Sequence, residues 1–363
     1  MLSGLANAHT HIYSALAPFG MPPPHPAPAS FPEILERIWW RLDRAIDEDA
    51  LAASARYYAA EALLAGTTVL VDHHESPSYI EGSLDVLADA CQAIGVRAVL
   101  CYGATERNGG RDEARRGLQE CRRFMLANRR PLIRGVIGLH ASFTVSDETI
   151  RDAGQLCRDL GTVLHVHLAE DRVDVDDARA RGFAGPLERL MALEALPPGS
   201  ILAHGVHLSR RQVGQAMDAG CWIVQNPRSN RTNRVGYPAA LGTAPRVALG
   251  TDGFVADMMS ERVALMEVGR DAGEPSSVLD ARCVGSLRLA AALFGDAMDA
   301  VPEERSVPHW LERRAATARA ETAADGRTVV SNGRLMTADA DTLREDARRA
   351  AQRLWARLPG GPP

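Results

Sequence analysis

The sequence predicts an α/β protein, a (β/α)8 (TIM) barrel, and three observations carry that expectation. Apolar runs of strand length recur near residues 3–12, 67–74, 96–104, 133–142, 162–169, 200–206, 221–227 and 246–252, eight in all. Stretches of helical periodicity separate most of them, and strands alternating with helices pair in parallel. Nine of the 11 histidines fall at or just past the C-terminal end of such a run, and Asp252 closes the last one. In a closed parallel barrel those ends form a single mouth, where functional groups collect.

The first run, GLANAHTHIY, ends in His9 and His11, two apart, so both side chains project to one side of a strand. The proline-rich stretch Gly20–Pro32 reads as a long, stiff loop over the mouth, and Glu33–Ala65 as helix. The second run, TTVLVDHHE, ends in His73 and His74, of which one faces inward; His74 is assigned to the pocket. Helices follow over Ile80–Ile94 and, after the third run, Arg111–Asn128. The fourth run, RGVIGLHASF, ends in His140, and Ser146 caps a helix over Asp147–Leu160. His165, His167 and Glu170 lie in TVLHVHLAED at the fifth strand end; His204 and His207 follow the sixth, before a helix over Ser209–Ala219. The seventh run leads into NPRSN, Asn226–Asn230, and the eighth, RVALGTDG, into Asp252. An open doubly wound sheet would carry a glycine-rich first turn for a nucleotide, whereas this first run ends in NAHTHIYSAL.

Beyond residue 295 the texture changes. Residues 1–295 read as the barrel and 296–325 as an irregular segment rich in Arg, Ala and Glu. Residues 326–363 read as a hairpin turning at Asn332–Gly333 and a final helix, Thr342–Arg357. That helix places Leu343, Ala347, Ala350, Leu354 and Trp355 on one face.

Composition narrows the chemistry. The chain has 363 residues, 46% hydrophobic, with 41 basic and 46 acidic side chains and a net charge of −5. That balance argues against nucleic-acid or membrane-surface binding and leaves a small molecule as the expected partner. No apolar run reaches the length of a membrane span, and no signal sequence is evident at the N-terminus. The 6 cysteines show no CxxC pairing, which fits reduced thiols in a cytoplasmic protein. All 41 basic residues are arginine. Without lysine there is no Schiff-base catalysis, no pyridoxal phosphate attachment, no P-loop and no metal pair bridged by a carbamylated lysine.

The strand-end residues suggest a metal centre. His9 and His11 can chelate one cation, His167 adds a third nitrogen and Asp252 a carboxylate, a set suited to one divalent ion, Zn²⁺ first and Fe²⁺ second. Such an ion lowers the pKa of its water from ~16 toward ~7, giving hydroxide at neutral pH. Glu170 is placed to shuttle protons beside it, and His204 to hold water or a developing oxyanion. His140 either contacts substrate or packs behind the site, and His165 faces the barrel wall or packs behind the ligands. In NPRSN, Arg228 can attract an anionic or carbonyl-bearing substrate, and Asn230 can position a neighbour or bind a heterocycle.

Read together, NAHTH, HLAE, AHGVHL, NPRSN and LGTDG resemble the amidohydrolase superfamily, in its single-metal deaminase and chlorohydrolase branch, across about residues 1–295. HTHIYSALAPFGMP, VDHHESP and GRTVVSNGRLMT are similar to the SsnA-type aminohydrolases associated with purine catabolism. The resemblance implies His9, His11, His167 and Asp252 as ligands, Glu170 and Asp252 in proton transfer, and His204 and His140 around water and substrate. It implies hydrolysis of a non-peptide C–N bond of a nitrogen heterocycle, and a homodimer. The same site would also serve a chlorohydrolase or a cyclic amidohydrolase. Relatives carry further strands before the HxH strand and after the barrel, forming a small β-sandwich that is expected to be largely missing here. Its loss would expose apolar surface, and a metal-binding remnant without turnover is the reading this departure suggests.

Overall fold

The computed structural model describes residues 4–296, 301 and 303–358. Eight strand positions occur in the expected order. They are Leu5–Thr10, Thr67–Asp72, Arg97–Leu100 continued by Gly103–Ala104, Ile133–Gly135 continued by Ile137–Ala141, Leu164–Leu168, Ile201–His204, Trp222–Gln225 and Val247–Leu249. Each pairs in parallel with the next. The ring closes where Thr10 bridges Asp252: Asp252 N–H donates to His9 O at 3.0 Å, and His11 N–H to Asp252 O at 3.2 Å. That closure aligns the two metal-ligand candidates of the first strand with the one that follows the last. A Cβ on Gly250 would stand 2.7 Å from His9 O, so only glycine lets the two strand ends approach this closely.

Most helices fall where periodicity places them, among them Gly110–Ala127, Asp147–Leu160 and Arg210–Asp218. The helix expected over Glu33–Ala65 is divided. Residues 31–45 form one helical stretch containing a π turn at Leu35–Trp39, and Glu48–Leu64 forms a second helix. Asp47 separates them by capping the second, its carboxylate accepting from Ala50 N–H at 2.9 Å. The first stretch follows the proline-rich loop and lies over the barrel mouth.

The C-terminal expectations need correction. Within 296–325, expected to be irregular, Val307–Ala320 is a helix and Glu321–Ala324 a strand. That strand joins Arg327–Ser331 and Arg334–Leu335 in a three-stranded antiparallel sheet, whose second and third strands are the predicted hairpin. The final helix, Ala340–Arg357, packs on Glu48–Leu64. Val329, Val330, Leu343, Ala347 and Leu354 belong to the same hydrophobic cluster as the barrel strands, so the segment completes the barrel's core. The apolar surface expected from a missing sandwich is accordingly covered. Among the described residues only Leu126, Met191, Val255, Val263 and Met336 are large, apolar and exposed, spread over several elements.

Candidate metal centre

The first, fifth and eighth strands deliver His9, His11, His167 and Asp252 to one point. Their four ligand atoms lie within 4.8 Å of one another, and all four residues are buried. His11 Nε2 stands 2.9 Å from Asp252 Oδ1 and 3.1 Å from His167 Nε2; His9 Nε2 is 3.2 Å from Asp252 Oδ1. Ligands around a tetrahedral ion at ~2.0–2.1 Å are separated by ~3.3 Å, so the spacing suits such an ion.

Hydrogen bonding fixes which nitrogens face inward. His11 Nδ1–H donates to His73 O at 2.5 Å, and His167 Nδ1–H to His140 O at 2.6 Å. A carbonyl only accepts, so each ring keeps its proton outside and turns an Nε2 lone pair inward. Two lone pairs 3.1 Å apart repel unless a positive charge stands between them. Burial lowers His9 to about 3 and holds His167 well below the ordinary imidazole range, leaving neutral rings fit to ligate. At His11 burial is outweighed by the carboxylates of Glu75 and Asp252, which raise it. The same negative potential attracts a cation. The donor set therefore fits a divalent metal.

Glu170 and His204 stand beside this cluster. Ala169 and His204 both adopt left-handed backbone, φ +50° and +75°, and Asp252 does so at φ +54°. Non-glycine residues rarely do this, and such strain concentrates at functional sites. Glu170 Oε2 lies 3.5 Å from His204 Nε2, and Oε1 accepts from Asn233 Nδ2 at 3.3 Å. Burial, opposed by His204 and reinforced by the charge of Asp252, raises the Glu170 carboxyl to about 7. His204 Nδ1 bonds Asn230 Oδ1 at 2.9 Å, while its buried Nε2 has no hydrogen-bond partner. Ser229 Oγ donates to Asp252 Oδ2.

A cleft opens over the centre. The helical stretch over the mouth supplies Phe31, Leu35, Trp39, Trp40 and Asp43, and the loop after the fourth strand supplies Phe143. His140 lines this cleft with Nδ1 bonded to Thr144 Oγ1 at 3.1 Å, leaving the rest of its edge to the cavity.

Two residues assigned to substrate sit elsewhere. His74 points away from the cleft, packed against Tyr13 and Tyr102 with Nε2 bonded to Ser76 Oγ at 2.8 Å. Its neighbour His73 is the inward one, 4.5 Å from His167 between ring centroids. Arg228 opens the helix Pro227–Thr232, where its guanidinium binds the buried Glu261 and Val255 O. Asn230 positions His204 through its Oδ1, the first of the two roles offered for it, while its buried Nδ2 has no hydrogen-bond partner. Sequence reasoning passed over Glu75, buried at the cleft and bonded to His73 Nδ1 at 2.7 Å. It also passed over Asp43 and the Trp39–Trp40 pair. Glu75 directly follows His74 at a strand end, the same position that marked the histidines.

A model of the Amidohydrolase family matches residues 1–288. The chain belongs to that family. It is similar to a 5'-deoxyadenosine deaminase of Methanopyrus kandleri, 24% identical over 389 residues that span 98% of this chain and 86% of the relative. A 5-methylthioadenosine/S-adenosylhomocysteine deaminase of Moorella thermoacetica is 28% identical over 393 residues, 99% of this chain and 87% of that one. In fold it resembles an adenosine deaminase of Xanthomonas campestris crystallised with bound zinc. The TM-score is 0.78 at 23% identity, over 97% of this chain and 85% of that one. No helix among the described residues is long and apolar enough to cross a membrane.

Proposed function

We propose that this amidohydrolase is an aminohydrolase that replaces the amino group of a purine-like nitrogen heterocycle with oxygen, releasing ammonia. The observation that carries the reading is the conjunction of His9, His11, His167 and Asp252 with the Glu170–His204 pair under an aromatic-walled cleft. Those four residues would hold the divalent ion, which we take to be zinc because three imidazoles and a carboxylate are a borderline metal's set. When bound, the ion supplies the Lewis acidity that makes water nucleophilic at neutral pH.

The protein's own residues supply positioning and proton transfer. Asp252, oriented by Ser229, accepts a proton from the attacking water. Glu170, raised to about 7, carries a proton at neutral pH and delivers it to the ring nitrogen next to the reacting carbon. With Nδ1–H donated to Asn230, His204 Nε2 accepts a hydrogen bond from the incoming water. The new C–O bond forms and the C–N bond then breaks. Of the water's two protons, the one taken by Asp252 leaves with the amino nitrogen as ammonia, and the other returns to Glu170 in place of the proton given to the ring nitrogen. Trp39, Trp40 and Phe143 offer ring faces for a planar base. The test is metal analysis of the purified protein joined to an ammonia-release screen over purines and pyrimidines. Stoichiometric zinc with ammonia from an aminopurine is the expected result; zinc-loaded protein that frees chloride from a chlorinated triazine, and no ammonia, would reverse it.

A further inference from the structure

The cleft carries a charge pattern and an unused acceptor that bear on which molecules it admits. Every side-chain ammonium or guanidinium of this chain is an arginine, because it has no lysine. No arginine lines the cleft over the metal centre. Six carboxylates do: Asp43, Glu75, Glu170, Asp171, Asp174 and Asp252. Most have evident work within the protein. Asp252 faces His9 and His11, Glu75 binds His73, and Asp174 accepts from Ala169 N and Ser142 Oγ, both at 2.7 Å.

Asp43 differs. It is 1% exposed, and its Oδ2 accepts from Arg107 Nη2 at 2.8 Å. Its Oδ1 is buried with no hydrogen-bond partner. Arg107 also lies over the Trp40 ring, 4.7 Å from its centroid, so the Asp43 carboxylate is held beside Trp40, and both residues line the cleft. A buried carboxylate oxygen without a partner is unfavourable by itself, and a substrate donor would relieve it. Among the described residues that line the cleft, an anionic substituent would meet no guanidinium. The adjoining groove that shares Trp40 and Phe143 contains Arg107 and Arg181, whose charges are paired with Asp43 and Asp177, although Arg107 Nη1 is itself buried without a hydrogen-bond partner.

We infer that Asp43 Oδ1 is a specificity-determining acceptor for an N–H or O–H group of the substrate. The cleft accordingly selects neutral or cationic amino-heterocycles, free bases or unphosphorylated nucleosides, over forms bearing phosphate or a free carboxylate. The inference rests on the aminohydrolase reading, and the experiment separates the two. Metal-loaded protein is given matched pairs, adenosine with adenosine 5'-monophosphate and 5'-methylthioadenosine with S-adenosylhomocysteine. Ammonia release is followed, together with equilibrium binding through the fluorescence of Trp39 and Trp40. The member of each pair that bears the phosphate or the carboxylate should show kcat/KM lower by about tenfold or more, and weaker binding. Equal or better turnover of these members overturns the selection while leaving the aminohydrolase reading in place. Absence of ammonia from every compound overturns that reading, and the binding arm then decides the selection: tighter binding of the members without phosphate or carboxylate supports it, and equal binding or none overturns it. In the Asp43→Asn variant KM should rise about tenfold, more than kcat falls, and the discrimination should narrow. An unchanged KM with unchanged discrimination removes Asp43 from the role. Where that variant fails to fold, the matched pairs on the unaltered protein carry the test.

Discussion

At the barrel mouth the buried residues are ionisable: His9, His11, His73, Glu75, His140, His167, His204 and Asp252 all lie within the protein. In the C-terminal segment they are apolar: Val329, Val330, Leu343, Ala347, Leu354 and Trp355. The two regions do different physical work. Burying charge and imidazole at the mouth costs stability unless partners or a cation compensate. The C-terminal segment removes apolar area from water and contributes the opposite sign. Trp355 joins the two, its Nε1–H donating at 3.0 Å to Phe19 O in the loop that leads over the mouth. Substitutions should therefore separate: those at the mouth alter turnover or metal, and those in the packed shell alter stability.

The largest effect is expected at Glu170. Glu170→Gln keeps the shape and the Asn233 contact but removes the transferable proton, so turnover should fall by about 10³-fold, with metal content unchanged and Tm not lowered. Retained turnover, or loss of the metal, would break the proposed division between the two regions. Next is Arg228→Ala, which leaves the fully buried Glu261 without its counter-ion, keeping only the bond from the backbone N–H of residue 228. The expected loss is about 3–5 kcal/mol of stability in denaturant unfolding, with KM unmoved for the molecules that still fold. A raised KM at full stability would return Arg228 to the substrate. Leu354→Ala opens a cavity in the C-terminal helix, where the side chain is completely buried. About 2–4 kcal/mol should be lost, again with kcat/KM of the folded protein within a factor of about two.

These substitutions also mark where the sequence was readable. Strand ends could be read because apolar runs terminate sharply and histidine is rare in such places; choosing His9, His11, His167 and Asp252 among the residues so marked also used the HxH spacing and the family resemblance. Facing was harder. His73 and His74 are neighbours, and only packing against His167 rather than Tyr102 decides which one turns inward. Arg228 was misassigned because a loop arginine beside a site looks available, and Glu261, 33 positions away in sequence, takes it. Residues 296–325 looked irregular because the helix Val307–Ala320 is only weakly amphipathic. It buries little beyond Val307, Leu311, Ala315 and Ala318. Asp43 and the two tryptophans gave no pattern at all, since their role depends on how the stretch over the mouth folds back.

The smallest predicted effect tests the mouth against itself. His11 and His167 are each oriented by a backbone carbonyl, which cannot be mutated away. His9 is oriented by a side chain: its Nδ1 lies 2.9 Å from His165 Nε2. If His9 presents Nε2 to the metal, its Nδ1–H donates to His165, whose own Nδ1–H then faces Cys101 Sγ at 3.8 Å. Cys101 in turn donates to Asp72 O at 3.5 Å. The proton order of this chain is thus set from its far end, where a carbonyl can only accept. His165→Ala removes the acceptor and frees the His9 ring to rotate or change tautomer. Metal affinity, measured by competition with a chelator, should weaken about 10- to 100-fold, with turnover recovering at saturating metal. Cys101→Ala, which spares the His9–His165 contact, should weaken it less. Equal affinities in all three proteins would mean that the strand backbone alone holds His9 in place, and that the order of protons behind it is without consequence.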